Sequence, residues 1–161
     1  MRIDEPIDPE CDLVLDRDIP VPPALVWQAW TRPEHLREWF TPRPWTVAEC
    51  DVEPWPGGRF HTVMRSPEGQ LVPNTGCFLE VIPDERLVWT SALGPGFRPA
   101  ETVGAFTFTG MILLAPHERG TRYRAIARHG DVETARRHEA MGFHTGWGIA
   151  LDQLVAHMAC R

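Results

Sequence analysis

Lysine is missing altogether, so all 16 basic residues of the chain are arginines. That bias reads as codon usage rather than a phosphate-binding design, and the formal net charge of -6 argues against a nucleic-acid surface. The four cysteines, Cys11, Cys50, Cys77 and Cys160, include no C-x-x-C pair. The sequence has no H-E-x-x-H motif and no two histidines four apart, which leaves no metal-ligand pattern. Neither a glycine-rich phosphate loop nor a nucleophile elbow is present, and no cofactor is expected. No apolar run approaches the ~20 residues that a bilayer crossing needs. Residues 1–11 form an acidic tail without the apolar core of a signal peptide. The expectation is a cytoplasmic protein, off the membrane, with reduced and buried thiols.

What the sequence does have is tryptophan: seven in 161 residues, against a single tyrosine. A chain of this length fits one domain with a substantial core, here residues 12–161. Clustered tryptophans build either a heavy core or a pocket with flat aromatic walls.

Patterning divides the chain into strands and helices. Residues 12–20 alternate Leu13, Leu15 and Ile19 against Asp12, Asp16 and Asp18, which predicts a half-buried strand with Arg17 as an exception on the apolar side. Pro22 and Pro23 suit the first turn of a helix carrying Leu25, Val26, Ala29 and Trp30. A second short helix from Pro33 holds Leu36, Trp39 and Phe40 and ends before Pro42. Strands follow at 45–52, 59–66, 75–82, 86–91 and 105–114, with a last one around Tyr123, Ala125 and Ala127. In strand 59–66 the set Phe60, Thr62 and Met64 is expected to face inward. Turn chemistry punctuates the strands, as at Pro54–Gly58 and Pro83–Glu85. One long amphipathic helix is expected from 131 to 160, N-capped by Asp131. Its stripe is Ala140, Phe143, Trp147, Leu151, Leu154 and Met158, and Gly142, Gly146 and Gly148 lie inside it as a kink or close-approach signal.

Five stretches in order carry a family resemblance: PPALVWQAWTRPEHLREWF (22–40), PGGRFHTVMRSPEG (56–69), GCFLEVIPDERLVWT (76–90), GTRYRA (120–125) and HTGWGIALDQL (144–154). The chain resembles the helix-grip proteins of the START and birch-pollen-allergen type (the SRPBCC superfamily), and within them the heat shock protein 90 ATPase activator homologue family of stand-alone bacterial type. The resemblance implies an α+β helix-grip fold: a curved antiparallel sheet of six to seven strands wrapped around the C-terminal helix, with two short helices after the first strand. It also implies a cavity between sheet and helix for an apolar small molecule. Residues 94–110 do not follow the family pattern, and they bear on the pocket mouth.

Trp39, Phe40, Phe60, Thr62, Met64, Tyr123, Phe143, Trp147 and Leu151 are the expected pocket wall. His144 and the Tyr123 hydroxyl are the candidate proton-transfer groups, although a solvated flank position is the simpler reading of His144. The remaining histidines considered, His35, His61, His117, His138 and His157, are expected on surfaces or in turns. Three functions follow: binding of a lipid-like, aromatic or polyketide-like molecule; a cyclase, hydrolase or lyase in the same cavity; or an interaction module. In the third, Phe106 and Phe108 would offer a surface to a chaperone or to a second copy.

Overall fold

A computed structural model of the chain describes residues 5–101 and 106–159. Seven strands form one antiparallel sheet: β1 (Asp12–Ile19), β2 (Thr46–Val52), β3 (Arg59–Arg65), β4 (Leu71–Ile82), β5 (Arg86–Thr90), β8 (Thr109–His117) and β9 (Gly120–Arg128). Two short strands, β6 (Leu93–Gly94) and β7 (Arg98–Pro99), pair apart from it. The order across the main sheet is β1-β9-β8-β5-β4-β3-β2. Helices α1 (Pro23–Thr31) and α2 (Pro33–Trp39) follow β1, and α3 (Val132–Ala140) and α4 (Phe143–Met158) follow β9. The curved sheet, the two short helices and the C-terminal helices make the helix-grip arrangement that the sequence leads one to expect.

The polar faces of β1 and β9 answer each other. In register, Asp12 meets Arg128, Asp16 meets Arg124 and Asp18 meets Arg122, with ion-pair distances of 3.5, 2.7 and 3.3 Å. Cross-strand pairs of this kind contribute about 0.2–1 kcal/mol each. Ile126, the apolar interruption in β9, lies opposite Val14 and joins Val88, Met111 and Leu113 in a second apolar cluster on the outer side of the sheet. Glu5 brackets that side by pairing with both Arg86 and Arg128, at 3.1 and 3.3 Å.

On the inner side, Phe60, Phe78, Leu87, Trp89, Ile112, Leu114, Tyr123 and Ala125 meet Trp30 and Trp39 from α1 and α2, and Leu151, Leu154 and Met158 from α4. Arg17 belongs to this face because α4 supplies its partner. Its guanidinium reaches Asp152 at 2.6 Å and comes within 3.5 Å of the Gly148 carbonyl oxygen. Gln153 ties the loop after α2 to α4, donating to the carbonyls of Trp39 and Thr41 at 3.0 and 2.7 Å.

Three expected elements are corrected. The single helix at 131–160 is two helices, because Gly142 sits in the left-handed region at φ 95° and breaks the chain direction. Asp131 does cap α3, accepting from the Thr134 N–H at 2.7 Å. The strand expected at 75–82 begins at Leu71, Pro73 included. Only its second half, from Cys77, pairs with β5, so the first half has an open side that tolerates a residue without an N–H. The strand expected at 105–114 starts at Thr109. The Ser91 hydroxyl accepts from the Phe108 N–H at 3.1 Å, and Phe106 and Phe108 stand outside the strand. Residue 105 lies outside the described residues.

Candidate functional site

The expected wall residues divide between two aromatic groups. Trp39 and Phe40, at the end of α2, join Trp30 and Phe60 with ring centroids 4.9 to 5.9 Å apart. Phe60 stacks on Phe78 at 5.0 Å and meets Trp89 edge-on at 5.3 Å. These rings fill the space among themselves and form the centre of the core. Thr62 is buried two residues further along β3, whereas Met64, opposite Val47 and Val72, is half-buried.

The second group gathers at the other end, where α3, the start of α4 and the segment before β8 converge. Phe143 and Trp147, one turn apart on α4, lie 4.6 Å apart. Phe108 meets Trp147 at 6.2 Å, and Phe106 lies 6.4 Å from Phe108. Phe106, Phe108 and Trp147 are half-buried, as Phe40 is at the edge of the first group, whereas Trp30, Trp39, Phe60, Phe78 and Trp89 are buried. Leu15 and Trp147 touch both groups.

Tyr123 and Leu151 lie in the core between the two groups. The Tyr123 hydroxyl accepts a hydrogen bond from Trp30 Nε1–H at 3.2 Å. Full burial pushes its ionisation upward, against the lowering effect of that hydrogen bond. The group is therefore a neutral hydroxyl at any physiological pH. His144 stands on the exposed side of α4, its Nε2 3.4 Å from Glu139.

Two histidines that the sequence did not single out are brought into the second group. His129 follows β9, and its Nδ1 lies 2.9 Å from the Cys11 carbonyl oxygen. Its Nε2 lies 2.8 Å from Nδ1 of His138 on α3. The ring of His138 is surrounded by Phe108 at 4.9 Å, Phe106 at 5.0 Å, Phe143 at 5.4 Å and Trp147 at 6.3 Å. Burial, reinforced by the charge of His129, pushes His138 down to about 4. Its neighbour Arg137 places its guanidinium 5.4 Å from the Phe106 ring centroid, adding positive charge beside the pair. The expectation of a surface position for His138 is corrected. The other apolar residues of helix α3, Val132 and Ala140, are exposed, and the helix buries only Ala135 and His138. The only sequence signal was their spacing of three, too little to separate from a solvated helix.

The other histidines find partners from distant segments. His61 bonds the Thr75 hydroxyl at 2.7 Å, His117 lies 3.6 Å from Asp18, and His35 meets His157 at 3.0 Å between α2 and α4. No cluster of three or more potential metal ligands occurs among the described residues. An open groove of about 460 Å³ between α2 and the edge of the sheet is polar, lined by Arg37, Glu49, Cys50, Asp51, Arg59 and His61. Burial pushes the Cys50 thiol up to about 11, so it is no nucleophile. Cys11, Cys50 and Cys77 are free thiols of which only Cys77 is fully buried, and Cys160 lies outside the described residues.

The fold and this geometry define a helix-grip domain with an aromatic, histidine-containing end. The family model described as "Activator of Hsp90 ATPase homolog 1-like protein" matches residues 20–159, and the chain belongs to that family. A crystal structure of a protein from Nitrosomonas europaea is 48% identical and superposes with a TM-score of 0.90, covering 96% of this chain and 98% of that one. A Rhodobacter sphaeroides protein at 24% identity and TM-score 0.81, covering 97% of both chains, shares the fold. A Silicibacter pomeroyi protein described as AHSA1 is 25% identical at TM-score 0.69, covering 92% of this chain and 98% of its own. No curated protein matches. Among the described residues, no helix is long and apolar enough to cross a membrane.

Proposed function

We propose that the protein binds an apolar small molecule between the sheet and α4, entering at the Phe106–Phe108–Trp147 end, and that it works in the cytoplasm. The observation that carries this reading is the contrast between the two aromatic groups. Trp30, Trp39, Phe60, Phe78 and Trp89 are buried against one another and finish the core, with the half-buried Phe40 at their edge. Phe106, Phe108 and Trp147 keep part of their surface open beside a buried imidazole pair. Apolar walls with a few convergent polar groups are the usual make-up of a small-molecule site. Of the expected wall, Phe143 and Trp147 belong to this end, while Trp39, Phe40, Phe60, Tyr123 and Leu151 pack in or against the core, and Thr62 and the half-buried Met64 lie further along β3.

An enzyme using this space would draw on the imidazole pair, since His144 and Tyr123 do not converge there. The interaction reading, in which a chaperone or a second copy docks on Phe106 and Phe108, would use the same half-buried rings. Small-molecule binding is preferred because the buried imidazole pair adds the convergent polar groups that such a site uses.

Native mass spectrometry of freshly purified protein tests the proposal. The expected result is a copurified apolar molecule that is lost from a Trp147→Arg variant that remains folded. A wild-type spectrum of bare protein, together with no uptake of a panel of aromatic and fatty probes, would refute it.

A further inference from the structure

The hydrogen bonds of the His129–His138 pair run in one direction. A carbonyl oxygen can only accept, so Nδ1 of His129, 2.9 Å from the Cys11 carbonyl, carries a proton. In a neutral His129 the other nitrogen, Nε2, is then a lone pair. Nδ1 of His138, 2.8 Å away, must be the donor. His138 is thereby left with Nε2 as an unprotonated acceptor. That atom has no hydrogen-bond partner among the described residues, and four aromatic rings surround the imidazole that carries it.

We propose that the aromatic end takes a planar ring compound bearing a hydroxyl of phenolic or enolic type, whose O–H donates to Nε2 of His138. This rests on the small-molecule reading above and narrows its ligand class. The ring of such a compound would lie among Phe106, Phe108 and Trp147, the three walls that retain open surface. The alternatives fit the acceptor less well. A carboxylate would meet a lone pair with no proton to offer it, and a quaternary amine would bring no donor. A plain hydrocarbon would leave the imidazole nitrogen stripped of water and unpaired, which costs affinity. Sites built around a hydrogen bond reject the analogue that lacks it for this reason.

Charged groups of both signs lie near the pair. Arg137 on α3 stands against the Phe106 ring, and Arg128 at the end of β9 is paired with Glu5 and Asp12. Asp131, which lies close enough to His129 to interact with it, caps α3, and Glu139 pairs with Arg136 and His144. Burial keeps His138 neutral at pH 7.

The test compares 1-naphthol with 1-methoxynaphthalene, the same ring with and without the donor, by isothermal titration of the full chain at pH 7. Wild type is expected to bind the naphthol roughly tenfold more tightly, in line with one hydrogen bond to an otherwise unpaired group. His138→Phe is expected to abolish that preference while still binding the ether. Imidazole nitrogen NMR of the wild-type protein needs no variant. The His138 Nε2 resonance should start in the unprotonated range and move on addition of the naphthol but not of the ether. Equal affinities in wild type, or an unmoved Nε2 resonance, would overturn the hydroxyl proposal while leaving apolar binding intact. Failure of the folded protein to bind either probe would count against both.

Discussion

The indole of Trp89 on β5 occupies the space above Gly110, its cross-strand partner on β8: a β-carbon at position 110 would lie 2.3 Å from Trp89 Cζ2. The same indole closes the inner core against Trp30 and Phe60, both at 5.3 Å. Gly110→Ala therefore displaces a ring locked on two other sides. We expect a loss of about 1–3 kcal/mol, the usual range for overpacking, measurable by urea denaturation.

Glycines at the start of α4 should respond in opposite directions. Gly142 holds a left-handed conformation, so Gly142→Ala should cost about 1 kcal/mol. At Gly146 a β-carbon would meet nothing closer than Pro42 Cγ at 3.9 Å, an ordinary contact. Gly146→Ala should stabilise by about 0.5–1 kcal/mol through helix propensity. Thermal melts of the two variants decide this, and a shared sign would contradict it.

Tyr123→Phe keeps the shape of the core but strips Trp30 Nε1–H of its acceptor. A buried donor left unpaired costs about 1–3 kcal/mol. Chemical denaturation should show a loss in that range, without change in the far-ultraviolet circular dichroism spectrum.

Acid should weaken the fold through His138. Its ionisation in the folded state is depressed from 6.5 to about 4, so the unfolded chain binds the proton more readily. Above pH 6.5 the effect vanishes. Stability falls as the pH drops below 6.5, and the loss is complete near pH 4. The loss should amount to about 2 kcal/mol, less than the shift itself implies because the pair keeps some contact with water. A His138→Phe variant should lose this part of the slope in melts between pH 7 and 4.

Trp147→Ala should cost about 2 kcal/mol, below the 3–5 expected for a fully packed tryptophan, because the residue is half-buried. His144→Ala should change stability by less than about 0.5 kcal/mol, as befits an exposed histidine with a surface carboxylate partner. Equilibrium unfolding of the pair, run side by side, checks both.

Much of the fold was legible because local chemistry and tertiary structure agree. The alternation of β1 and β9, the prolines opening α1 and α2, and the Asp131 cap are determined within a few residues of themselves. Positive φ at Asp84 fits the Pro83–Glu85 turn, where a short polar side chain tolerates that conformation. Less legible were the features created by contact across long separations. Arg17 broke the pattern of β1 because Asp152 lies 135 residues away on α4. Pro73 hid the start of β4 because an open strand edge cannot be read from composition.

By itself the sequence determined the inventory: an acidic, lysine-free chain with enough aromatic residues for a heavy core and enough alternation for one antiparallel sheet. Tertiary structure alone decided which aromatics finish the core and which stay partly open, since that depends on how α3 and α4 diverge at Gly142. It also decided that His129 and His138 meet, nine residues apart across a loop. A histidine carries no periodic signal of its own, and only a neighbouring backbone carbonyl and four rings from other segments fix what its free nitrogen can do.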